Sequence, residues 1–197
     1  NGADFWRDNT NRRDGPRGAH IVHREFSDIK SLGDTARIVT QNDWMHDNHR
    51  ICQDTRTIIF GRRTNGDRWI DFTIVLKATE GDVTFGDTKE GTFATRVADT
   101  VRLEAKQGGR IVNSEGQTDD DAWGLPARWV DYTGPVAEVS DPGQTKIAGI
   151  TIMCHPSSFR PVPRWHVRGY GLFTANPFGQ QDFPQPDAAP QGAVTIK

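Results

Sequence analysis

Apolar and polar residues alternate along most of this chain in short runs, with turn residues between them. Ile21, His23 and Glu25 fall on one face of a first segment, and Val22, Arg24 and Phe26 on the other. Residues 37–40 continue as a strand, and the polar run 42–48, with Asp43, His46 and Asp47, reads as a turn. Residues 51–60 and 68–77 form a β-hairpin around Thr64-Asn65-Gly66-Asp67, because Asn-Gly between two alternating segments favours a tight hairpin turn. In its second arm Ile70, Phe72, Ile74 and Leu76 share the face expected to meet the core. Further strands are expected at 83–85, 92–98, 101–105, 110–113, 128–132, 147–155, 165–168 and 194–196, with glycines between many of them. No window of helical length shows the helical period, and residues 118–123 have room for one short turn. Many short strands with regular turn signals predict an all-β protein, an antiparallel β-sandwich with few or no helices.

The length of 197 residues suits a single β-sandwich domain over 1–197. The chain starts at Asn1 and stops at Val194-Thr195-Ile196-Lys197 in mid-strand, so it is expected to be a fragment or processed form, truncated at one or both ends. A periplasmic or secreted location would then depend on a signal peptide outside it. Its 24 basic and 26 acidic residues are interspersed, without the one-sided basic surface of a nucleic-acid binder. The longest apolar runs fall far short of the roughly 20 residues a membrane helix needs, so a soluble protein without a membrane span is expected. Oligomeric state is left open. Cys52 and Cys154 both lie in apolar runs and read as free buried thiols, with a single disulfide as the alternative.

Candidate chemistry gathers in residues 153–179. His155 ends an apolar strand before a proline, and His166 lies between Trp165 and Val167, flanked by Arg164 and Arg168. Histidine titrates near neutrality and suits general acid or base work. The loop 85–91 presents Asp87, Lys89 and Glu90 between glycines, and 113–116 offers Glu115 as a rival carboxylate. His155 or His166 as acid and Glu90 as base form the catalytic reading. Asp87, Lys89, Arg164, Arg168, Tyr170, Asn176 and Trp129 would hold a sugar. The structural alternative is that each of these residues serves only the fold. His46-x-x-His49 beside Asp43 and Asp47 is a weak metal cluster in a turn, and no metal site is assigned. His20 and His23 point to opposite faces of a strand. GxSxG, P-loop, GxGxxG and HExxH motifs are absent, which argues against serine hydrolysis, phosphoryl transfer and nicotinamide chemistry.

Residues 84–98 (TFGDTKEGTFATRVA), 111–116 (IVNSEG), 122–134 (AWGLPARWVDYTG) and 155–179 (HPSSFRPVPRWHVRGYGLFTANPFG) resemble the bacterial PmoA-like family. GAHIVHREF and DRWIDFTIVL resemble it too. Members of that family usually carry more sequence at both ends. The family's methane-oxygenase label is set aside, because the particulate methane enzyme is a membrane copper protein and this chain has no apolar span. The resemblance implies a relative of the galactose-mutarotase-like supersandwiches, whose sites use histidines and carboxylates on a concave sheet to act on sugars. It gives no catalytic residue. The expected function is a carbohydrate-active protein that epimerises, mutarotates or eliminates by proton transfer without a cofactor. The alternatives are a non-catalytic carbohydrate-binding or assembly protein, and a metal-dependent oxygenase or lyase.

Overall fold

The computed structural model describes residues 2–6, 18–138, 141, 143–184 and 192–197. It is all-β and sandwich-like, with antiparallel sheets and only single-turn 3-10 helices, as the alternation predicts. The chain forms two compact units. The first comprises residues 1–84 with 195–197, and the second residues 85–194.

The first unit is a four-stranded antiparallel meander. Its strands are β1 (Ala19–Leu32), β2 (Thr35–His46), β3 (His49–Arg62) and β4 (Arg68–Lys77), in that spatial order. The β3–β4 hairpin falls at the expected place. Arg63 N–H donates to Asp67 O across the turn at 2.8 Å, and Gly66 takes φ +93°, a conformation that favours glycine. The run 42–48 is corrected: β2 continues through it to His46, and only Asp47 and Asn48, both with positive φ, make the turn. A bulge between His23 and Glu25 shifts the register of β1 against β2. It puts Phe26 on the His23 side of the sheet, where the two rings lie 4.5 Å apart, and not beside Val22. The expected core face of β4 is half right. Phe72 and Leu76 are half-buried, but Ile70 and Ile74 are 62% and 41% exposed.

The second unit holds two three-stranded antiparallel sheets. One runs β7 (Arg110–Asn113), β8 (Trp129–Ala137), β9 (Thr145–Met153). The other runs β10 (Arg164–Val167), β11 (Leu172–Asn176), β6 (Phe93–Arg96). Their inner faces meet in a core that includes Ile111, Val130, Tyr132, Trp165, Val167 and Phe173. Tyr132 and Phe173 touch edge to face at 6.2 Å. Residues 101–105 are not the strand expected. They fall in two 3-10 turns, Asp99–Val101 and Leu103–Ala105, and Leu103 N–H donates to the Tyr132 hydroxyl at 2.9 Å. The helical turn anticipated near 118–123 is the 3-10 helix Asp119–Ala122. A short pair of strands, β5 (Val83–Phe85) and β12 (Val194–Ile196), lies where the chain passes between the units. Both cysteines are free: Cys52 is buried and Cys154 half-buried.

Candidate functional site

Period-two alternation puts Arg164, His166 and Arg168 on the side of β10 away from the core, since Trp165 and Val167 face inward. The register pairs Arg164 with Asn176 and His166 with Thr174, so Asn176 shares that outer face. The loop 86–91 lies across it. His166 Nδ1 is 2.9 Å from Lys89 O, and Asn176 Nδ2 donates to Thr88 O at 2.8 Å. Seven of the predicted site residues, Asp87, Lys89, Glu90, Arg164, His166, Arg168 and Asn176, are therefore brought together.

Several of them are occupied in holding loops. Asn176 Oδ1 accepts from Phe178 N–H and Gly179 N–H at 3.1 and 2.7 Å, so both ends of this buried amide hold backbone groups. Asp87 accepts from the backbone N–H groups of Gln180, Gln181 and Gly192. Burial alone would push this carboxyl up, but those three donors and the Arg160 charge outweigh it and hold it below its ordinary range. Arg164 is buried and donates to Gln180 Oε1, Gly124 O and Pro184 O, and desolvation lowers its pKa.

His166 is 3% exposed, and its contacts settle its tautomer. A carbonyl only accepts, so Nδ1 carries the proton toward Lys89 O. Nε2 then accepts from Arg168 Nε–H at 3.0 Å. Desolvation and the Arg168 charge push its pKa down, so the ring stays neutral through the physiological range. Glu90 Oε2 lies 3.9 Å from Nδ1 and Glu90 Oε1 lies 3.9 Å from Lys89 Nζ, with both side chains partly exposed. Arg168 is laid over the Trp123 ring at 4.4 Å, and Trp123 also meets Phe183 edge to face. The Arg168 terminal nitrogens have no protein partner among the described residues. This arrangement can hold an oxygen-rich ligand more readily than it can move a proton.

The remaining predicted residues lie apart from this group. His155 follows β9 in the other sheet, is exposed, and pairs with the Ser157 hydroxyl at 2.7 Å. Trp129 pairs in register with Met153 on the outer side of that sheet, opposite the inward Val130. Glu115 is exposed in the loop after β7 and borders a shallow depression with Arg128 and Val162. Tyr170, at the β10–β11 turn, is 39% exposed and lies under Arg96 at 5.8 Å.

Sequence reasoning passed over a second polar group, in the first unit. His23, Asn42 and Asp54 are directly opposite one another across β1, β2 and β3, on the face that also carries Ile38, Ile58 and Phe72. The Asp54 carboxylate is fully buried and accepts from Asn42 Nδ2 at 2.6 Å, Trp44 Nε1 at 2.7 Å and Arg56 Nη2 at 2.8 Å. The available signal was the period-two series 40-42-44 against 52-54-56, which places polar residues at positions where the pattern calls for apolar ones. Among the described residues no group of three or more His, Cys, Asp or Glu is arranged to hold a metal ion.

A family of unknown function, DUF6807, matches residues 1–197. The chain belongs to that family. No curated protein and no solved structure matches it. Among the described residues of this DUF6807 chain, no helix is long and apolar enough to cross a membrane.

Proposed function

We propose that this DUF6807 chain is a carbohydrate-binding protein that holds a sugar or sugar acid at the outer face of the β10–β11–β6 sheet. The observation that carries this reading is the Arg168 guanidinium, stacked on Trp123 and anchored through Nε to His166, with its terminal nitrogens unpartnered among the described residues. An arginine fixed in this way offers a planar pair of donors to a carboxylate or to vicinal hydroxyls. Glu90, near the Nδ1 side of His166, and Lys89 next to Glu90 add an acceptor and a donor. The motif resemblance to PmoA-like proteins and, through them, to sugar-acting supersandwiches supports the choice of carbohydrate.

The geometry favours binding over proton transfer. Nε2 of His166 is capped by Arg168, Nδ1 is committed to a carbonyl, and the ring is kept neutral by burial. The catalytic alternative requires Arg168 to swing away and free Nε2 as a base. Calorimetric titration with glucose, galactose and galacturonate separates the two. Galacturonate is expected to bind saturably, and Arg168→Ala to weaken it by about 30-fold, the cost of a charge-assisted contact. His166→Gln should stay within about threefold, because a glutamine carbonyl can also accept the Arg168 Nε–H. Absence of saturable binding to all three sugars would sink the reading. Sugar turnover that disappears in His166→Gln while binding persists would establish the catalytic alternative.

A further inference from the structure

We infer that the first unit carries its own binding site for a neutral saccharide, on the sheet face that bears His23, Asn42, Asp54 and Arg56. This site shares no residue with the Arg168 face and stands without it.

Asp54 is the root of the site. A buried carboxylate can only accept, so the Asn42 amide must turn Nδ2 toward it, and the same nitrogen reaches Thr40 Oγ1 at 3.1 Å. Asn42 Oδ1 is thereby left facing His23 Nδ1 at 3.3 Å, which makes Nδ1 the donor. The relay fixes the exposed His23 ring in one tautomer and leaves Nε2, without a partner among the described residues, as its acceptor nitrogen. Arg56 binds Asp54 through Nε and Nη2, so Nη1 remains as an open donor among the described residues. Thr40 accepts from Asn42, and its hydroxyl proton has no acceptor among the described residues. An acceptor, a donor and a hydroxyl thus surround one buried carboxylate, each held by another side chain.

A polar group of this kind is not what a sheet face needs for packing. Burying polar side chains costs free energy unless every one is hydrogen-bonded, and aliphatic side chains would fill the same positions without that cost. Apolar side chains border the group: Ile21 lies beside Trp44 in the row on one side, and Phe26 and Ile74 stand at the two ends of the row that holds Thr40 and Arg56. Ile21, Phe26 and Ile74 are 42%, 58% and 41% exposed. The Asp54–Arg56 pair is electrically balanced, so nothing here selects an anion or a cation. A ligand with hydroxyls on its edge and C–H groups on its face meets these demands, and a neutral pyranose is such a ligand.

Nitrogen-detected NMR of the His23 ring and the Arg56 guanidinium, in the whole chain, tests the site with methyl β-glucopyranoside and methyl β-galactopyranoside as probes. At least one glycoside should shift both sets of signals saturably. His23→Gln and Arg56→Lys should each weaken that binding by roughly tenfold, the loss of one hydrogen bond. Both variants are expected to preserve the fold, which far-UV circular dichroism checks, since His23 is exposed and lysine retains a charge for Asp54. Arg168→Ala should leave the titration unchanged, which keeps failure here distinct from failure of the second-unit site. The proposal is overturned if neither glycoside moves the signals, or if the shifts survive His23→Gln at full strength. It is overturned equally if sedimentation shows this face closed against a second copy that glycosides do not affect.

Discussion

The two units bury different things. In the second, eleven apolar side chains among the described residues close a core between two sheets, with Trp165, Tyr132 and Phe173 the bulkiest of them. In the first, the buried residues are Ala19, Val39 and Cys52 against Thr40, Asn42, Asp43 and Asp54, among those described. One unit is held by the hydrophobic effect, which is large and indifferent to direction. The other is held by ladder hydrogen bonds and by side-chain networks that must be satisfied atom by atom. Asp43 shows the second mode on the opposite face from Asp54, where it accepts from Arg24 Nε at 2.7 Å and Gln53 Nε2 at 2.8 Å. Burial would raise its pKa, but the Gln53 and Arg24 hydrogen bonds and the Arg24 and Arg50 charges hold it down. A polar interior defines positions more sharply than it stabilises a fold, and that is what a binding surface requires.

The comparison breaks most visibly under truncation of apolar residues. Trp165→Ala should cost about 4 kcal/mol, because it empties a fully buried site and orphans the Ala127 carbonyl that its indole N–H serves at 2.8 Å. Ile70→Ala, at a position 62% exposed, should stay within about 0.5 kcal/mol. Urea unfolding of the two variants measures the contrast. If Ile70→Ala proves as costly as Trp165→Ala, the sheet face of the first unit is covered in solution and the comparison fails.

Next in size is the loop clasp of the second unit. Asp87→Asn should destabilise it by about 2 kcal/mol at neutral pH, since an amide cannot accept from three backbone N–H groups as a carboxylate does. The folded pKa of Asp87 lies below its unfolded value of about 3.9, so its contribution is complete above that pH and is lost as pH falls through the folded value. Wild type and variant should therefore converge in acid. A gap that persists there would mean the asparagine fails for steric reasons instead.

The legibility of the chain followed the same division. The β3–β4 hairpin was readable because Asn65-Gly66 demands a particular turn, and the outer face of β10 because alternation around Trp165 and Val167 permits one arrangement. Residues 101–105 misled because Val101, Leu103 and Ala105 alternate like a strand, although 3-10 turns bring Val101 into the core. β11 was missed because Gly169 and Gly171 precede a run containing Thr174 and Asn176, which becomes a fully buried strand only through its neighbours. Asn42 and Asp43 suggest a turn from sequence because they are polar. They lie mid-strand, at the two networks of the first unit. Polarity in a sequence signals a loop or a buried network equally well, and tertiary partners decide between them. The same ambiguity hid the His23 relay, and the sequence does not show that Asn176 and Arg164 also hold loops.

The smallest effect concerns His166, and it asks whether the hydrophobic unit also tolerates buried charge. Desolvation, then the Arg168 charge, depresses the folded pKa below the ordinary value of about 6.5, while the Lys89 carbonyl and Glu90 only partly oppose them. The unfolded chain then binds the proton first. Stability is complete above about pH 6.5 and falls as pH drops from there to the folded pKa, below which this slope ends. The loss is bounded at about 1.4 kcal/mol per pH unit of that window. Urea unfolding of wild type and His166→Gln across this range isolates it, because glutamine does not titrate and keeps an acceptor for Arg168. The variant should lose the slope between about pH 6.5 and the folded value and match wild type in the more acid limb governed by carboxylates such as Asp87. If the slope survives in His166→Gln, the ring does not resist protonation in the fold. Arg168 then has no fixed partner at Nε2, and the case for a preset guanidinium over Trp123 fails with it.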